Sequence, residues 1–176
     1  MAIEEPKFTV IQQQDRFELR DYAASVVAEV TVTGDRRQIG SQGFRLLAGY
    51  IFGGNAGGKR IAMTAPVTLM PKNPDADSGE WVVRFTLPSG SDLADLPVPN
   101  AAAVRLRALP AARYGVLRFS GWVGPAQIAR RAAELTRQIA ALGLTTTGPL
   151  AIARYNPPWT PWFLRRNEVM FQIASA

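Results

Sequence analysis

Alternation of apolar and polar residues with period two runs through nine separate stretches of this chain, and only two stretches break it with a helical period. That ratio confines the chain to a sheet-dominated α+β fold. The stretches are Phe8–Ile11, Phe17–Arg20, Ser25–Val32, Ala62–Leu69, Trp81–Leu87, Val104–Arg107, Tyr114–Phe119, Leu150–Tyr155 and Glu168–Ile173. Pro66 cannot donate to a ladder, so its strand must run at an edge or bend there. A first helix is predicted from Arg36 to Phe52, with Asp35 and Gln38 in a capping-box spacing and Gly53-Gly54 ending it. A second runs from Pro125 to Leu142, with Gly143 just past its end.

The order of elements repeats. A strand ending Val30-Thr31-Val32, a helix, a strand reaching Ala65-Pro66 and a strand through Phe85 form one set. A strand ending Leu117-Arg118-Phe119, a helix, a strand reaching Asn156-Pro157 and a strand through Phe171 form the other. Matching points lie roughly 86 to 91 residues apart with little identity. A duplicated βαββ unit accounts for this, with repeats at about 8–88 and 104–174 joined by the Pro/Ser/Gly-rich stretch from Pro88 to Ala103. Either half alone would leave a sheet face bare, so residues 1–176 are expected to form one domain.

The two helices differ. The second has one apolar stripe (Ile128, Ala132, Leu135, Ile139, Leu142) opposite a charged face, the pattern of a surface helix on a sheet. The first has two stripes: Ile39, Gly43, Leu46, Leu47 and Tyr50, and then Phe44, Ala48, Ile51 and Phe52. Both must be covered. Either the loop Pro157–Phe163 lies over the second stripe, or helix and loop are two walls of a groove. That loop, with Trp159, Trp162, Phe163 and three prolines, ends in Arg165-Arg166, and aromatic surface rimmed by cations fits a planar apolar ligand bearing carboxylates.

Charge and composition exclude much else. The chain has no cysteine and no histidine, which rules out disulfides, thiolate nucleophiles, Cys/His zinc sites and a histidine-based triad; no metal site is expected. Residues 1–95 carry ten Lys/Arg against twelve Asp/Glu, and residues 96–176 carry ten Arg against Glu134 and Glu168, so the second half is about +8 of a net +6. No helix-turn-helix, zinc finger or RNA-binding aromatic signature accompanies that charge, so nucleic acid is not expected as a partner. No apolar run approaches a membrane span, and Met1–Pro6 shows no signal-peptide pattern, which leaves a cytoplasmic location as the default. Carboxylates cluster only at Asp75, Asp77 and Glu80 and at Asp92 and Asp95, in turn-rich segments that read as solvated loops. Gly53–Lys59 follows a helix and precedes a strand, the reverse of a phosphate-binding loop. Glu18 and Glu168 read as structural partners for Arg20 and Arg166. No catalytic set emerges, and the chain is not expected to be an enzyme.

Several blocks resemble the successive signatures of the SOUL/haem-binding protein family: Glu18-Leu19-Arg20-Asp21-Tyr22, Phe44–Asn55, Lys59–Val67 with its Met-Thr-Ala-Pro-Val, Phe85-Thr86-Leu87-Pro88, Phe119-Ser120-Gly121, Tyr155-Asn156-Pro157-Pro158 and Arg166-Asn167-Glu168-Val169. They run in order from about residue 8 to residue 173. The resemblance implies a distorted antiparallel β-barrel flanked by two helices, an architecture shared with gyrase-inhibitor-like and effector-binding domains. It also implies binding of haem or a related porphyrin beside the first helix, near the loop before the last strand. Carried onto this chain, Phe44, Leu47, Tyr50, Ile51, Trp159, Trp162 and Phe163 would line the groove. Arg45, Lys59, Arg60, Arg165 and Arg166 would be candidates for the propionates. With no histidine, any iron contact would come from Met63, Met70, Tyr50 or Tyr155, or from no protein atom, and Met63 reads first as a core residue. The expected ligand is therefore haem or metal-free porphyrin, held largely by apolar contact, in a carrier, buffer or sequestering role. A small-ligand sensor or inhibitor acting through a protein partner is the alternative. A small enzyme using one carboxylate or tyrosine is the third reading.

Overall fold

A computed structural model describes residues 3–72 and 78–175. Nine strands form one antiparallel sheet: β1 (Phe8–Gln14), β2 (Phe17–Tyr22), β3 (Ser25–Asp35), β4 (Val67–Pro71), β5 (Ser78–Thr86), β6 (Arg105–Leu109), β7 (Ala112–Phe119), β8 (Thr146–Arg154) and β9 (Asn167–Ile173). Helix α1 (Arg36–Ile51) sits between β3 and β4, and α2 (Pro125–Ala141) between β7 and β8. The strands lie in the order β1-β2-β7-β9-β8-β4-β5-β3-β6. That order is symmetrical about the β8/β4 pair: β8-β9-β7-β2 on one side mirrors β4-β5-β3-β6 on the other.

The order also dictates the shape of the sheet. β2 and β3 are second and eighth across it, yet only Ala23 and Ala24 join them; β6 and β7 are ninth and third, joined by Pro110 and Ala111. In a flat sheet six strand spacings would be about 29 Å, far beyond the reach of two residues. The sheet must curl until its two halves nearly meet. It does not close: no ladder joins β1 to β6, so the expected barrel is an open, curled sheet. A barrel needs every edge paired, and here β1 and β6 remain edge strands.

Both helices pack on one face. Ile39, Leu47, Tyr50 and Ile51 of α1 and Ile128, Leu135 and Ile139 of α2 share one core with Trp81, Val83, Phe85, Leu117 and Val169 of the sheet. Close approach depends on two glycines, one on a helix and one on a strand. A Cβ on Gly43 of α1 would fall inside contact distance of the whole Val83 side chain, and one on Gly115 of β7 would meet Ile139 of α2. Gly43→Ala is therefore expected to destabilise the fold by about 1–3 kcal/mol, because overpacking there must displace a helix or a β-branched side chain. Denaturant unfolding measures it; an unchanged or higher midpoint would refute the tight fit.

The expected strand Ala62–Leu69 begins only at Val67. Before Pro66, which has no N–H to give, the chain makes a single bridge between Glu4 and Thr64. The carboxylates expected to be solvated at Asp75 and Asp77 lie outside the described residues, while Glu80 pairs with Lys72 at 3.2 Å. Gly53–Lys59 is pinned by buried Asn55, whose side-chain nitrogen donates to the Tyr50 and Lys59 carbonyls and whose oxygen accepts from the Lys59 N–H.

Candidate functional site

Cross-strand register places one row of side chains under the helices. Ala28, Phe85, Val67, Arg154, Asn167 and Phe119 are successive partners across β3, β5, β4, β8, β9 and β7, and partners share a face. Phe44 of α1 packs on Phe85 (5.5 Å between centroids) yet stays 42% exposed. Arg154 lies beside α1, its Nη1 3.7 Å from where a Cβ on Gly40 would stand. From Arg154 the surface runs into the β8–β9 loop. There the Arg165 guanidinium donates to the Thr160 and Pro158 carbonyls (2.8 and 2.6 Å) and lies 5.4 Å from the Trp122 ring. Trp122 stacks on Trp162 at 6.3 Å, and Phe163 meets Trp162 edge-on at 5.7 Å. These three rings are 64%, 49% and 58% exposed. Neither Arg154 nor Arg165 has a carboxylate partner among the described residues. Arg154 is exposed by area, yet the protein packed around its head group and then the like charge of Arg165 lower its pKa, so an anion between the two would offset the repulsion.

The residues expected to line the groove do not all come to it. Leu47, Tyr50 and Ile51 are 0–2% exposed in the shared core, because the helix turns these positions of both stripes toward the sheet. They back the groove without offering surface to it. The second stripe is split: Ala48 and Ile51 are buried, while Phe44 and Phe52 stay exposed and are not covered by the loop. Trp159 is exposed on the same loop at 82%. Lys59 and Arg60 follow the far end of α1, and exposed Arg45 lies on its outer side. Met63 is half-buried against the core. Arg166 is committed elsewhere, to Glu5 (2.9 Å) and Glu168 (3.1 Å). Sequence reasoning missed Trp122 and Arg154. Trp122 sits in a short Gly-flanked turn and Arg154 at the end of an apolar strand, and neither carries a local signal of what it faces.

The other face of the sheet curls around an open cavity of about 970 Å³ to which every strand but β1 contributes. Its floor is Ala151 and Met170, which pack with Val116 beneath them, and Tyr22, Tyr114, Tyr155 and Met70 stand around them. Beside it lies a buried polar network. Arg20 and Glu168, 2% and 0% exposed, are joined by two parallel bonds of 2.9 Å. The Tyr155 hydroxyl donates to Glu168 at 2.7 Å, and Arg20 also donates to Tyr22 and Glu18. Burial alone would raise the Glu168 pKa, but Arg20, Tyr155 and Arg166 outweigh it and hold the carboxyl below its ordinary range. Burial pushes Tyr22 up to about 12 against the opposing pull of Arg20, and burial with the Glu168 charge raises Tyr155 further.

These placements decide how a tetrapyrrole could be held. Trp122, Trp162, Phe163 and Phe44 supply flat apolar surface, and Arg154 and Arg165 supply the cations, so the groove fits a porphyrin bearing carboxylates. It supplies no iron ligand. Tyr50 is buried with its hydroxyl on the Pro97 carbonyl (3.0 Å), Tyr155 is a neutral donor to Glu168, and Met70 is on the opposite face. Met63 is packed into the core edge. Among the described residues no cluster of three or more acidic side chains could hold a metal ion, and no helix is long and apolar enough to cross a membrane.

Comparison with known proteins agrees with this architecture. The C-terminal domain of EcmrR superposes with a TM-score of 0.70 at 10% identity, covering 91% of this chain and 98% of that one. A hydrolase from Listeria innocua superposes with a TM-score of 0.63 at 11% identity, covering 93% and 94%. SAV2435, bound to tetraphenylphosphonium, does so at 0.51 and 16%, covering 90% and 94%. At such identities the likeness is one of fold. No curated protein matches the sequence. The family model described as SOUL heme-binding protein matches residues 3–172, nearly the whole described length, and the chain belongs to that family.

Proposed function

We propose that this protein is a single-domain, non-catalytic binder of haem or a metal-free porphyrin, serving as a carrier, buffer or sequestering protein. The ligand lies in the groove between α1 and the β8–β9 loop. The observation that carries the reading is the exposed Trp122–Trp162–Phe163 cluster beside two arginines without carboxylate partners. One ring face stacks on the tryptophans, the opposite edge reaches Phe44, and the propionates lie against Arg154 and Arg165. Membership of a heme-binding family supports the ligand class. The lack of any iron ligand in the groove supports binding that does not depend on the metal.

The state of Glu168 supports a non-catalytic role. A general acid or base needs a proton it can give or take near neutral pH. Glu168 is fully buried, saturated by Arg20, Arg166 and Tyr155, and held ionised.

Titrating the protein with haemin and with protoporphyrin, followed by Soret absorbance and tryptophan quenching, tests the proposal. Saturable one-to-one binding of both, with similar affinity, is expected. No saturation with either ligand would sink it and turn attention to a protein partner for the exposed aromatic patch.

A further inference from the structure

The cavity on the helix-free face belongs to none of the groove described above. At about 970 Å³ it is at the upper end of the roughly 300–1,000 Å³ usual for small-molecule sites, and its base is apolar. Its charges do not balance. Glu29 alone receives two guanidiniums, from Arg84 at 2.8 Å and Arg107 at 3.4 Å. Lys72 and Glu80 neutralise each other. Arg105, also on the wall, has no carboxylate partner among the described residues. Of four cations and two carboxylates on the lining, a surplus of two positive charges remains, and it sits on β5 and β6.

Across from that surplus stands Tyr114, half-buried on β7. Its ring packs edge-on against Tyr22 at 5.5 Å, and burial raises its pKa against the opposing charges of Arg84 and Arg107 on the same cavity lining. The curl of the sheet therefore brings a tyrosine of β7 and the cations of β5 and β6 onto one cavity lining, together with Met70, Met170 and Ala151.

We propose that this cavity is a second binding site, for a small carboxylate with an aromatic or aliphatic body. The carboxylate lies between Arg105, Arg107 and the Tyr114 hydroxyl, and the apolar body rests on the methionine and tyrosine floor. The same charge excludes lipophilic cations. SAV2435, similar in fold, is bound to tetraphenylphosphonium, a lipophilic cation, which makes that cation the contrasting probe.

Calorimetric titration of the whole chain with naphthoate and with tetraphenylphosphonium tests the assignment. Naphthoate is expected to bind one-to-one and tetraphenylphosphonium not at all. Arg105→Glu/Arg107→Glu should weaken naphthoate at least tenfold, and Tyr114→Phe severalfold. Thermal melts would confirm that these variants fold, since both arginines are exposed on an edge strand. Trp162→Ala should leave naphthoate binding unchanged while weakening haemin. The proposal is overturned by absence of naphthoate binding, by equal binding of the cation, or by indifference to the arginine reversal. It is also overturned if that reversal abolishes haemin binding, because the cavity would then be the tetrapyrrole site itself. Naphthoate binding with haemin indifferent to Trp162→Ala would sink the groove alone.

Discussion

Arg20→Met is expected to cost the folded state about 3–5 kcal/mol, the usual penalty for leaving one member of a buried ion pair without its partner. For a chain of this size that corresponds to a fall in melting temperature of about 6–20 °C. The cause is Glu168, which is fully buried and loses its bidentate partner, keeping only Tyr155 and Arg166. Removing both charges, in Arg20→Met/Glu168→Met, should recover much of the loss, because an apolar pair needs no compensation. The pH dependence has a definite sign. The folded carboxyl of Glu168 has a lowered pKa, so its stabilising effect is present above the ordinary value of 4.5 and is lost as pH falls through the folded value. In Arg20→Met, burial dominates and Glu168 protonates more readily. The deficit relative to the parent should therefore narrow as pH falls toward and then through 4.5. Melts at neutral and acid pH measure this, and a deficit that widens in acid would contradict the assigned ion pair.

Haemin binding should fall about tenfold in Arg154→Gln and by a similar factor in Trp162→Ala. A charge-assisted hydrogen bond contributes roughly 1.5–3 kcal/mol, and an aromatic stack roughly 0.5–1.5 kcal/mol beyond the area it buries. Since 1.4 kcal/mol is tenfold in affinity, the double variant should lose about a hundredfold if the two contacts act independently. Stability should hardly change in Trp162→Ala, because the ring is half exposed. Leu47→Ala makes the contrast: a residue buried in the core beneath the groove should lower stability by about 2–5 kcal/mol, its effect on haemin following from unfolding alone. Equal loss of haemin affinity in folded Leu47→Ala and Trp162→Ala would mean that the ligand reaches the core and not the surface groove.

The family blocks and the repeated order of elements were legible because they are local. The helix ends at Gly53 and before Gly143 needed only short-range rules, and α1 and α2 lie within a residue of their expected bounds. The partnership of Glu168 with Arg166 was legible as well. Its stronger bond, to Arg20 148 residues away, was not, because pairing across a sheet leaves no local trace. Leu47 and Phe44 carry equally apolar side chains three residues apart on one helix. Only the direction in which α1 faces β5 makes the first core and the second surface.

Alternation and repeat by themselves determined that this chain forms an antiparallel α+β structure with two helices, and the lack of cysteine and histidine determined which chemistries it cannot perform. The tertiary structure alone decided that the sheet curls without closing, because closure depends on which distant edges meet. It alone brought Trp122, Arg154 and Trp162 from three segments into one groove, and Arg105 and Tyr114 to opposite walls of one cavity. A strand pattern specifies which face a side chain takes, but not which strand lies opposite, and both candidate sites are made of what lies opposite.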